Sequence, residues 1–67
     1  MISIALLGAG RIGQIHGRNI AASPRANLAA IADPFPEGAK ALSAATGAPI
    51  RTAEEILADA SIDAVLI

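Results

Sequence analysis

The hexapeptide Gly8-Ala9-Gly10-Arg11-Ile12-Gly13 stands directly after a short run, Ile2 to Leu7, that is aliphatic but for Ser3, and directly before a stretch of helical periodicity. Glycines at that spacing serve a chain that must turn sharply, come close to a neighbour and let two elements touch. Ile2 to Leu7 is too short and too continuous for a helix and reads as a strand buried on both faces. From Ile12 onward, Ile12, Ile15, His16, Asn19, Ile20 and Ser23 share one stripe, which predicts an amphipathic helix that Pro24 ends.

A second aliphatic run, Leu28 to Ala32, closes at Asp33-Pro34, where the bias of a pre-proline residue away from helix marks a strand end. Pro36 suits a first helical turn, and Gly47 suits a left-handed C-terminal cap, so a helix is expected over Pro36 to Thr46. Thr52-Ala53-Glu54-Glu55 has the spacing of a reciprocal cap and starts another helix, running to about Ala60. Ala64 to Ile67 then begins a third strand. Strand, helix, strand, helix, strand is the signature of the α/β class: a Rossmann-type parallel sheet, a βαβαβ fragment with strand order 3-2-1. If residues 1–67 stood alone, the first strand would be an exposed aliphatic edge prone to association.

The glycine loop leaves a strand and enters a helix, and Asp33 lies 20 residues beyond Gly13 at the end of the next strand. That context is the dinucleotide-binding fingerprint. Gly8 would permit the turn, Gly10 would let the backbone meet a pyrophosphate, and Gly13 would let helix and strand pack closely. Amides near Arg11 and Ile12, at the positive end of the helix dipole, would hold the phosphates. Asp33 would accept hydrogen bonds from the ribose hydroxyls, and its charge would repel the 2′-phosphate of NADP, making NAD the expected cofactor. Two plainer alternatives stand beside this: a glycine-rich turn used only for packing, and Asp33 as an Asp-Pro turn residue. Gly13 and Gly17 suggest a close contact with the sheet, and His16 and Asn19, on the helical stripe, are expected to be partly buried and tied to backbone.

Composition removes other classes. Five Lys and Arg against six Asp and Glu leave a net charge of -1 with no basic cluster, and Phe35 is the one aromatic residue, so no nucleic-acid or membrane-surface partner is expected. The absence of cysteine excludes disulfides and thiolate metal sites, and the lone His16 makes no metal site. No apolar stretch is long enough to span a bilayer and no leader pattern follows Met1, so a cytoplasmic location is expected. Of the 54% hydrophobic residues 17 are alanine, which makes a core of 67 residues thin and its stability in isolation marginal.

The run Ile4 to Gly13, with His16 and Asn19 spaced at threes after it and Ala32-Asp33-Pro34 further on, resembles the Gfo/Idh/MocA oxidoreductases over the whole chain. The resemblance implies that residues 1–67 are the N-terminal part of a dinucleotide-binding domain whose substrate domain lies outside this sequence. It implies NAD as cofactor, reversible oxidation of a ring hydroxyl on a polyol or sugar with myo-inositol foremost, and a homo-oligomer. In such relatives a Lys, an Asp and a His beyond this stretch handle substrate and proton, so no catalytic residue is assigned and the fragment alone should be inactive. A non-catalytic NAD-sensing module and an S-adenosylmethionine-dependent methyltransferase remain alternatives, the latter disfavoured because Ile2 to Leu7 carries no acid.

Overall fold

The computed structural model describes residues 1–67. Six elements follow one another: β1 (Ile2–Leu7), α1 (Arg11–Ala22), β2 (Ala26–Ala32), α2 (Pro36–Thr46), α3 (Ala53–Ala58) and β3 (Ala64–Leu66). Their punctuation is local chemistry. Gly47 takes the left-handed conformation at φ 80° and closes α2. The Thr52 hydroxyl accepts the Glu55 N–H while the Glu55 carboxylate accepts the Thr52 N–H, so the reciprocal cap of α3 is formed at both ends. Helix α3 stops at Ala58, before Ala60, because Asp59 turns its carboxylate onto the N–H and hydroxyl of Ser61.

The strands form one parallel sheet in the order β2-β1-β3. The expected 3-2-1 order is met with a change of member. The place beside β2 is taken by the extended link at Pro49-Ile50, where Ile31 donates to Pro49 O at 2.9 Å and accepts from Arg51 N–H at 2.9 Å. The segment read as the third strand, Ala64–Leu66, instead lies on the other side and pairs with β1. One residue of pairing at Ile50 returns the chain to the sheet, and α3 then carries it across the opposite face. β1 is therefore the central strand and not an edge. Asp63 fixes its register with β3 by exchanging two bonds of 2.8 Å with the Ser3 backbone.

Two apolar layers cover the sheet. On one side Leu6, Leu28 and Ile31 meet Ala39 and Leu42 of α2, with Ile20 of α1 against them. On the other, Ala5, Ala30 and Ala32 make a shallow floor filled by Ile56 of α3. Leu28 and Ile31 share a side although they are three apart, because β2 carries a bulge: Ile4 pairs with Leu28, the next residue Ala5 pairs with Ala30, and Ala29 is the extra one.

Helix α1 is turned differently from the stripe reading. Ile12 and Ile15 are 62% and 53% exposed, and His16 and Asn19 are exposed as well. The face turned inward is the narrow one of Gly13 and Gly17. A Cβ on Gly17 would stand 2.5 Å from the Leu42 side chain, so the close contact at this glycine is with α2 and not with the sheet.

Candidate functional site

Where β1 ends, the Gly8 N–H donates to Ala32 O at 2.7 Å and Gly8 takes φ 112°, a conformation few residues other than glycine adopt. A Cβ on Gly13 would lie 2.1 Å from Gly8 O, so the start of α1 can sit against the turn only because that Cβ is missing. Gly10 differs. Nothing of the chain lies within 4 Å of where its Cβ would be, so no protein contact explains this glycine.

Gly10 is also the N-cap of α1, without a side-chain cap. The first helical bond is from Gln14 N–H to Gly10 O, at 2.8 Å, and no backbone acceptor meets the amides of Gly10, Arg11, Ile12 and Gly13. These are orphan donors at the positive end of a 12-residue helix dipole. The arrangement suits an anion of several oxygens. Arg11 and Ile12 contribute to it through backbone, their side chains being exposed.

Asp33 follows β2 and turns back toward the loop. One carboxylate oxygen accepts the Ala9 N–H and the other the Phe35 N–H at 2.7 Å. The bond from Ala9, then that from Phe35, hold its pKa below the usual carboxylate value against a smaller effect of desolvation, so it is ionised at neutral pH. The bond from Phe35 makes Asp33 a turn residue, and the bond from Ala9 ties the same side chain to the glycine loop. A carboxylate offers about four acceptor positions, so capacity for hydroxyl donors remains.

Beside Asp33 opens a cleft of about 670 Å³ at the C-terminal ends of β1 and β2, lined by Gly8, Asp33, Pro34, Arg51, Thr52 and Glu55 among others. This is where ligands sit in open parallel sheets. The sequence reading passed over Arg51, and took Thr52 and Glu55 only as a helix start. Arg51 is the one cation on the cleft wall and is paired with Asp59 at 2.6 Å. The Ser61 hydroxyl and then Arg51 lower the Asp59 pKa to about 2. Gln14 was passed over too: its side-chain amide donates to Ala9 O at 2.9 Å and to Gly38 O at 2.8 Å. His16 and Asn19, exposed on α1, take no part in this arrangement.

Residues 2–67 match the model of a family described as "Oxidoreductase family, NAD-binding Rossmann fold". The inositol 2-dehydrogenase of Rhizobium meliloti (strain 1021) is 46% identical over 66 residues, 98% of this chain and 20% of that protein. A myo-inositol dehydrogenase structure from Corynebacterium glutamicum ATCC 13032 superposes with a TM-score of 0.85 at 48% identity, over 97% of this chain and 20% of that one. The scyllo-inositol dehydrogenase of Lactobacillus casei, solved with NAD(H) and scyllo-inositol, gives 0.85 at 31% identity over 100% of this chain and 21% of its own. The chain spans about a fifth of the length of these relatives.

Proposed function

From the chain's membership of the Gfo/Idh/MocA oxidoreductase family, with its NAD-binding Rossmann fold, we propose that residues 1–67 are the N-terminal part of a dinucleotide-binding domain and hold the adenosine and pyrophosphate of NAD. The observation that carries this is Gly10: an open position at the N-terminus of α1, beside amides without acceptors, with the ionised Asp33 bonded to the neighbouring Ala9 N–H. In this reading Gly8 sets the turn and Gly13 the closeness of helix and sheet. The amides of Gly10, Arg11, Ile12 and Gly13 receive the diphosphate, and the free lone pairs of Asp33 receive the ribose diol. Because Arg51 is engaged by Asp59, the cleft opposes a 2′-phosphate through Asp33, and NAD is preferred over NADP.

Bound NAD would supply a hydride acceptor at its nicotinamide; the residues of this chain bind and orient the other end of the molecule. The parent protein is read as a dehydrogenase of a ring hydroxyl on a polyol or sugar, myo-inositol first. Support comes from the relatives, an inositol 2-dehydrogenase at 46% identity and a myo-inositol dehydrogenase at 48%.

The test is calorimetric titration of the protein at its natural length with NAD, NADP and S-adenosylmethionine, beside the Asp33→Ala variant. NAD should bind best, and the substitution should weaken it about ten- to a hundredfold, the loss of one or more hydrogen bonds to a charged acceptor. Equal affinity for NAD and NADP, unchanged in the variant, would overturn the reading of Asp33. S-adenosylmethionine as the tightest ligand would replace the dehydrogenase by a methyltransferase. Polyol panels read by NADH absorbance should rank myo-inositol first; NAD binding without turnover of any polyol would point to a sensing module.

A further inference from the structure

Gln14 stands one turn into α1, half-buried, with both side-chain N–H groups used: one on Ala9 O at 2.9 Å, the other on Gly38 O at 2.8 Å. Two carbonyl acceptors can be met only by the NH2 side of an amide, so the orientation of this side chain follows from its neighbours. Ala9 is 2% exposed, and a Cβ on Gly38 would lie 2.3 Å from Ala9 O, so the carbonyl is wedged between Gln14 and α2. The C=O of Ala9 and the N–H of Gly10 belong to one planar peptide group and point in opposite directions. Whatever holds the carbonyl inward therefore aims the Gly10 N–H outward, and that amide has no acceptor in the chain.

We propose that Gln14 is a positioning residue for the anion-binding loop: by gripping Ala9 O and Gly38 O together it fixes the Ala9–Gly10 peptide plane so that the Gly10 N–H faces the diphosphate of the cofactor. The inference rests on the NAD reading above. Loops that sample other peptide orientations bind in proportion to the fraction correctly set, so loss of the grip appears as lost affinity without loss of any direct contact. Only ligands that carry a diphosphate are affected.

The experiment titrates NAD, ADP and adenosine into the protein at its natural length and into Gln14→Leu and Gln14→Glu. The second variant keeps the size of the side chain and replaces its donors with acceptors facing two carbonyl groups, so it serves where Leu disturbs folding, and far-UV circular dichroism checks both. NAD and ADP should weaken about tenfold in each variant, while adenosine changes by less than about twofold. Equal loss for all three ligands, or no loss for any, overturns the proposal. The Gly10 amide resonance of the cofactor-free protein is read in parallel and should move in both variants. Wild-type protein that binds none of the three overturns the NAD reading itself; the Gly10 resonance then decides separately, since an amide unmoved by either substitution shows that Gln14 does not aim it.

Discussion

Gly10 and Gly13 are three residues apart and fail differently when a methyl group is added. At Gly13 the new carbon would meet Gly8 O at 2.1 Å, backbone against backbone, and neither side can yield cheaply. Gly13→Ala should destabilise the fold by about 3 kcal/mol in urea titrations. At Gly10 the carbon enters open space. Gly10→Ala should stay within about 1 kcal/mol of the parent, the difference between the two residues at an N-cap, yet weaken NAD at least about tenfold in calorimetry. The opposite pattern, stability lost and affinity kept, would assign Gly10 to packing. Both glycines and Asp33 could be picked out from spacing alone, because a fingerprint is a local pattern. Gln14 could not: its partner Gly38 is 24 residues away, and only the packing of α1 on α2 brings that carbonyl within reach.

Elements were legible where their ends are chemical. Pro24, Gly47 and the Thr52–Glu55 pair each mark a boundary that the structure places at or within a few residues of its expected position. The facing of α1 was legible only in its glycines: Gly13 and Gly17 marked the face that makes contact, while the hydropathy stripe of isoleucines pointed the other way. Gly17→Ala tests that facing: with Leu42 fully buried and 2.5 Å from the added carbon, it should cost about 1 to 3 kcal/mol, whereas an exposed glycine-to-alanine change in a helix would stabilise it. Helix α3 has six residues and depends on its cap. Thr52→Ala should cost about 1 kcal/mol, seen in thermal melts, and loosen the cleft wall that Thr52 and Glu55 form.

At the scale of the whole molecule, acid is the natural probe. Hydrogen bonds hold the pKa values of Asp33, Glu55 and Asp59 below their ordinary values. A carboxylate lowered by folding stabilises the native state above its unfolded pKa, and the contribution fades as pH falls through the folded value. The melting temperature should therefore hold from about pH 7 to about pH 5 and fall between about pH 4 and about pH 2, with Asp59 titrating at about 2. Asp59→Asn should flatten the lowest part of that profile. A different dependence attaches to Ala29, the unpaired residue of β2. Side chains along a strand alternate, so a shift of one residue exchanges inside for outside. Deleting Ala29 would cause no such exchange, because the bulge already absorbs the extra residue: Leu28 and Ile31 would stay in one layer, Ala30 and Ala32 in the other, and Asp33 on its side of the sheet. The extra alanine is thus a removable insertion, one the strand can shed without turning its terminal acid away from the glycine loop.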